Sequence, residues 1–295
     1  MRTAFINQLI EETRTNDRIF LLVGDLGYNV IEPFAREFPE RFRNVGIAEQ
    51  NMAGMAAGLA MTGYNVYIYS IGNFPTLRCI EQIRNDIAYH HANVKVVAVG
   101  GGYAYADLGA THHATEAIGM LRAIPNMVVC SPADPVEARA ITTISSTFDG
   151  PMYIQLGKAG EKIIHENSVE LSIGDILPLK VNNSNEAVFV SGSISAEIVN
   201  SVEYRCNDIY SVPFVKPLNK GQIREIASKY GKITVIEEHQ KSCGIGSAVI
   251  EQVNDLFSDG KLEYYPVIKR IAIEDFFQSV SGSQKYLRKT AGLIK

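Results

Sequence analysis

Arg41-Phe-Arg-Asn-Val-Gly-Ile-Ala-Glu-Gln-Asn-Met52 runs directly into Ala53-Gly-Met-Ala-Ala-Gly-Leu-Ala60, and this stretch places one carboxylate, Glu49, at the start of a helix made of small residues. A helix rich in Gly and Ala lets another backbone come close, and an acidic group in its first turn sits where the helix dipole favours the ionised form. Taken alone, that pattern needs nothing beyond ordinary charge compensation at a helix N-terminus. On either side lie short runs rich in Val and Ile, at 19–23, 66–71, 94–99, 127–130 and 152–156, which read as buried parallel strands. Helical spacing at 51–62, 77–91, 116–123 and 135–147 alternates with them, so the first half is an α/β unit whose function belongs at strand ends.

The alternation lapses between residues 157 and 186, and Val181-Asn-Asn-Ser-Asn-Glu186 is a polar, turn-forming cluster of the kind that links domains. A second α/β series follows, with strands at 187–190, 209–212, 233–237 and 267–273 and helices at 196–205, 220–229 and 245–256. The expected organisation is therefore two consecutive parallel-sheet α/β domains, 1–160 and 187–295, with 161–186 as linker.

Composition bounds the partners. The 295 residues are 46% hydrophobic with a net charge of −4, which gives no broad basic surface for nucleic acid or anionic lipid. No apolar run approaches the roughly 20 residues that span a bilayer, and the first fifteen residues lack a signal-peptide pattern, so no membrane role is expected. The four cysteines are scattered without a CxxC pair, which argues against a cluster or a disulfide framework and fits a reducing cytoplasm.

The wording Asn44-Val-Gly-Ile-Ala-Glu-Gln-Asn-Met52 is similar to the pyrimidine-domain motif of transketolases and 1-deoxyxylulose-5-phosphate synthases. The resemblance extends over nearly the whole chain, since Val212-Pro-Phe-Val-Lys-Pro-Leu-Asn219 and Ile236-Glu-Glu-His-Gln-Lys-Ser-Cys-Gly-Ile-Gly-Ser-Ala-Val249 resemble the transketolase C-terminal domain. It implies a pyrimidine-binding domain followed by that C-terminal domain. It also implies thiamine diphosphate as cofactor, with Glu49 bonding N1′ of the aminopyrimidine. Sharing a proton there favours the imino tautomer, whose N4′ takes the thiazolium C2 proton to give the carbanion that attacks a ketose carbonyl.

Further positions follow from the same resemblance. Phe74-Pro-Thr-Leu-Arg-Cys-Ile-Glu-Gln-Ile-Arg84 resembles the segment in which an aromatic residue, here Phe74, stacks on the pyrimidine; a lone Phe at a strand end is otherwise a core residue. Gly24-Asp-Leu-Gly27 stands where a family turn approaches the thiazolium, which makes Asp25 and Leu26 cofactor-binding candidates, although Asp and Gly favour such a turn in any case. Gly100-Gly-Gly-Tyr-Ala-Tyr-Ala-Asp-Leu-Gly-Ala-Thr-His-His-Ala-Thr-Glu116 resembles the family's Gly-Pro-Thr-His loop, so His112 is expected to face substrate and help move protons. A helix-start histidine without a catalytic role is the alternative, and two adjacent histidines without further acidic spacing do not make a metal site.

That loop also departs from the family, with Leu108 replacing an aspartate that contacts sugar and Gly100 replacing a histidine. Discrimination among sugars should change more readily than cofactor activation. Lys158, closing Gly150-Pro-Met-Tyr-Ile-Gln-Leu-Gly-Lys158, stands where the family has a phosphate-binding arginine, and it can supply charge without the bidentate fork. As an exposed lysine at a domain exit it needs no function. His239 reads as an interdomain hydrogen-bonder, and Gly244 and Gly246 as a structural turn.

The magnesium ion (Mg2+) that neutralises the diphosphate belongs, in the family, to a domain marked by Gly-Asp-Gly, a tripeptide this sequence lacks. A separate N-terminal subunit is expected to carry it, in an α2β2 assembly. Ketol transfer from a ketose phosphate to an aldose is the leading expectation. The β subunit of a 2-oxoacid dehydrogenase, half of a deoxyxylulose phosphate synthase and an inactive assembly or regulatory paralogue are the alternatives.

Overall fold

The computed structural model describes residues 1–295. Its first domain runs α1 (Arg2–Thr15), β1 (Ile19–Val23), α2 (Glu32–Glu37), β2 (Phe42–Asn44), α3 (Glu49–Met61), β3 (Asn65–Ile71), α4 (Ile80–Gln82), β4 (Val94–Val99), α5 (Ala117–Ala123), β5 (Val128–Cys130), α6 (Pro135–Thr147) and β6 (Met152–Leu156). The second runs β7 (Leu177–Lys180), β8 (Glu186–Val190), α7 (Ser195–Val199), β9 (Asp208–Ser211), β10 (Phe214–Lys216), α8 (Lys220–Lys229), β11 (Lys232–Gln240), α9 (Ile245–Ser258), β12 (Val267–Ile273) and α10 (Gln284–Thr290).

Two sheets result, ordered β10-β5-β6-β4-β3-β1-β2 and β12-β11-β8-β9-β7. Strands β1, β3, β4 and β6 are buried almost throughout, as continuous Val/Ile-rich runs between two helix layers must be. The expectation of purely parallel sheets needs correction at one edge of each: β10 pairs antiparallel with β5, and β7 antiparallel with β9. Strand β10 comes from the second half of the chain, so the two domains share a sheet edge. Within 161–186, read above as a linker, β7 closes the second sheet.

Two helices differ from their sequence reading. The 77–91 segment begins with a tight turn at Leu77–Cys79, passes through α4 and widens over Ile83–Ala88, where the amides of Tyr89 and Ala92 bond Arg84 O and Ile87 O five residues back. Helix α7 stops at Val199 because Asn200 turns its side chain back onto Ala196 O at 2.7 Å, competing with continuation of the helix.

The chain visits β2 on one side of β1 and β3 on the other, so the strand order reverses at β1/β3. In open α/β sheets the crevice at such a reversal, beyond the carboxyl ends of the strands, is the ligand-binding position.

Candidate active site

Glu49 is the first residue of α3, but its carboxylate does not cap its own helix. Only 1% of the side chain is exposed; Oε2 accepts from Arg78 Nη1 at 2.7 Å, and Ser70 Oγ lies 3.5 Å from Oε1. Gly24, at the end of β1, lies over it: a Cβ there would sit 3.5 Å from Glu49 Cγ and Oε1. Charge compensation alone would leave such a carboxylate in water, whereas here it is buried against Ser70 and Gly24 at the strand ends.

Arg78 joins this carboxylate to Phe74. Its guanidinium carbon is 4.8 Å from the Phe74 ring centre, and that ring also meets His112, edge-on at 5.4 Å. Glu49, Arg78, Phe74 and His112 therefore form one contiguous set, with 44% of the Arg78 side chain open to solvent. Asn73 ties the end of β3 to the histidine loop by donating to His113 O at 2.5 Å.

Asp25 and Leu26 occupy the turn after β1, but their side chains turn elsewhere. Asp25, at φ +54°, accepts from Asn44 Nδ2 at 2.9 Å and donates its amide to Asn44 Oδ1 at 3.1 Å. Asn44 Oδ1 also takes the Gly46 amide at 3.0 Å, so this motif asparagine fixes the approach to Glu49. Leu26 packs on the apolar core beneath the sheet.

Lys158 follows β6 and lies over the Tyr105 ring at 4.7 Å, 3.9 Å from Asp107. The structure thus groups it with the 100–116 loop and not with Glu49. Leu108 is half exposed at the tip of that loop. Gly100, at φ +88°, has its side-chain position filled by Tyr105, whose ring would lie 2.1 Å from a Cβ.

His113 is buried beneath Tyr103, edge-on at 5.0 Å, and its Nε2 has no partner. Burial holds it below the ordinary imidazole range, hence neutral. His239 is the interdomain hydrogen-bonder read from the sequence: Nε2 accepts from the Gly119 amide at 3.0 Å. Gly244 and Gly246 open α9 against the buried Glu237, which burial pushes up to about 7. Arg78, Asn44, Ser70 and Asn73 are the site residues that sequence reasoning missed.

These geometries coincide with a known domain pair. A family model for the transketolase pyrimidine-binding domain matches residues 1–160, and one for the transketolase C-terminal domain matches 190–294. The chain belongs to the transketolase family. A putative transketolase C-terminal section from Methanocaldococcus jannaschii is 35% identical over 99% of this chain and 92% of its own length. One of the subunits of the apulose-4-phosphate transketolase of Phocaeicola vulgatus is 32% identical over 86% of this chain and 83% of its own. A solved structure described as a split gene transketolase, inactive β4 tetramer, superposes with a TM-score of 0.86 at 29% identity, covering 99% of this chain and 93% of that one. As a transketolase subunit the chain belongs with thiamine diphosphate chemistry, and Glu49 stands in its pyrimidine-binding domain. No helix is long and apolar enough to cross a membrane.

Proposed function

We propose that this transketolase subunit provides the pyrimidine side of an active site completed by a second chain, which holds the diphosphate and Mg2+, in an α2β2 assembly. The observation that carries the reading is Glu49, a buried carboxylate in the β1/β3 crevice whose one strong partner, Arg78, is exposed enough to withdraw.

The residues present fit an aminopyrimidine. Glu49 supplies a carboxylate oxygen toward N1′, Phe74 supplies a ring face, and Gly24 places no side chain against Ser70 and Glu49, where a Cβ would make contact. When bound, the cofactor supplies the nucleophilic carbon that takes up a two-carbon ketol unit from a ketose. Glu49 holds the proton at N1′, in a pocket where little water competes for it. Phe74 orients the ring by stacking. The Asp25–Asn44 clamp holds the β1 turn, with Leu26 under it, against the thiazolium side. His112, edge-on to Phe74, donates to or accepts from the sugar hydroxyls and moves a proton there, while Lys158 meets a substrate phosphate as a point charge.

Two features support a partner. The relatives above include a protein named as one subunit of a transketolase and another named as the product of a split gene. The outer face of α3 leaves Gly54 and Gly58 with nothing within 4 Å, a surface that another backbone can approach closely. Four unpaired cysteines, two of them buried, support a reducing compartment such as the cytoplasm.

Gentle purification of the tagged chain from its native cell, followed by mass spectrometry, should recover a stoichiometric partner containing Gly-Asp-Gly. The complex should then consume a ketose phosphate in preference to pyruvate. A cofactor-loaded homodimer with no second chain, or a preference for pyruvate, would overturn the proposal.

A further inference from the structure

Three successive residues at the end of β11 reach out of the second domain and grip the 100–116 loop and the helix behind it. Glu238 Oε1 accepts from the Tyr103 amide at 2.9 Å, His239 takes the Gly119 amide, and the Gln240 amide donates to Thr115 O at 2.8 Å. Tyr103 and Thr115 are the two stems of the loop. One residue before each of them, Gly102 and Ala114 exchange both backbone hydrogen bonds at 3.0 Å, so the loop is closed on itself and its neck is clamped from outside. Gly102, at φ +59°, must lack a side chain, because a Cβ would lie 2.5 Å from Glu238 Cγ.

Glu238 is itself held. Its Oε2 accepts from Arg288 Nη2 at 2.5 Å, and Arg288 Nη1 reaches Glu197 at 2.6 Å. Gln284 Nε2 adds a bond to Glu238 Oε1 at 3.1 Å. Both partners of the Glu238–Arg288 pair have less than a tenth of their side chains exposed. A buried pair of this kind contributes little stability over well-packed apolar residues. Here it sets where the carboxylate points. The apolar packing agrees: Tyr103 and Ala106 of the loop share a core with Val188, Ile194 and Leu287 of the second domain.

We infer that Glu238, held by Arg288 from the C-terminal helix α10, is a positioning residue for the substrate-facing loop. It acts through the Tyr103 amide and, by way of the Tyr103 ring on His113, on the neighbouring His112. The inference rests on the reading of His112 as the group that meets substrate. On that reading the C-terminal domain sets the geometry of the reaction site without touching it.

The test has two arms. The chain contains no Trp, so Leu108→Trp places a single reporter at the exposed loop tip of the full chain. Glu238→Ala combined with Arg288→Met removes both members of the buried pair; the one carboxylate that loses its cation, Glu197, is 30% exposed and open to water. In that background the reporter's fluorescence anisotropy should fall while the melting temperature changes little. In the assembled enzyme, without the reporter, kcat/KM for a ketose donor should drop about tenfold or more, because small misplacements of a catalytic group are costly. Affinity for thiamine diphosphate should stay unchanged. Unaltered anisotropy, or an equal loss of cofactor affinity, would overturn the inference. Should the double variant fail to fold, Glu238→Gln keeps the shape and an acceptor for Tyr103; anisotropy should fall by a smaller amount, and no change would again overturn it. A loop that loosens in an enzyme whose ketose turnover is unaffected would uphold the clamp and remove His112 from the reaction.

Discussion

Glu49 and His112 approach Phe74 from supports of different kinds. Glu49 stands on a helix that packs directly on β1, β3 and β4 of the first domain through Met52, Ala53, Ala56 and Ala57, in a core cluster that continues into the second domain. His112 stands in a loop whose packing belongs to the second domain, through Tyr103, Ala106 and the β11 clamp. The proposed cofactor side is thus held by direct contacts within its own domain, whereas the proposed substrate side relies on an interdomain clamp in addition to its Asn73 bond. Loops vary more readily than the elements that carry them.

The largest expected effect breaks the cofactor side. Glu49→Gln keeps the volume and a hydrogen-bond acceptor but cannot hold the proton in the same way, so turnover of the assembled enzyme should fall by about 10²–10⁴-fold. Complex formation should be intact. Steady-state kinetics beside size-exclusion chromatography would decide it, and unchanged turnover would remove Glu49 from the chemistry.

How far the sequence disclosed this division depends on which atoms carry it. Strands β1, β4 and β6 were legible to the residue, because buried parallel strands are apolar runs; β12 was legible too, although Lys269 and Arg270 interrupt it and only its last two residues are buried. Strands β2, β7 and β10 were not: each has only three or four residues and lies at a sheet edge or pairs with a distant segment, so no local pattern marks it. Glu49, Phe74 and His112, which the structure brings together, were singled out through motif wording. Arg78 was quoted within such a motif, yet its contact with Glu49, 29 residues away, exists only in space. The Glu238 clamp joins residues 135 apart and could not be read from either segment.

A smaller effect should appear on the tethered side in mild acid. Burial holds His239 and His113 below the ordinary imidazole value of about 6.5, so the unfolded chain binds more protons than the folded one between the folded values and 6.5. Their contribution is present in full above that window and is lost as pH falls through it. Glu237, pushed up by burial to about 7, and His165, raised by Glu137, run the other way, so a global melting curve would mix opposing signs. Amide exchange separates them. Protonated His239 Nε2 cannot accept from Gly119, and the Gly119 amide should lose protection as pH falls from 7 to 5.5 while the Met52 amide at the base of α3 keeps its own. Equal behaviour of the two amides would erase the distinction between the two supports.

The smallest effect concerns the contact between the two sides. The Arg78 guanidinium occupies Glu49 Oε2 and lies over the Phe74 ring, the two features an aminopyrimidine would use. It is planar and cationic and donates to carboxylates, so within this chain it satisfies what would otherwise be a stranded buried charge. Cofactor binding then requires Arg78 to give up both contacts. Because 44% of its side chain is exposed, the ion pair is worth about 1 kcal/mol or less after screening by solvent. Arg78→Met keeps the apolar stem and deletes the competing charge. Affinity of the assembled enzyme for thiamine diphosphate, measured by calorimetry, should therefore rise by no more than about fivefold. Weaker binding would mean that the guanidinium stays beside Glu49 in the loaded site and helps to hold the ring, and the cofactor side would then depend on the same exposed residue that borders the substrate side.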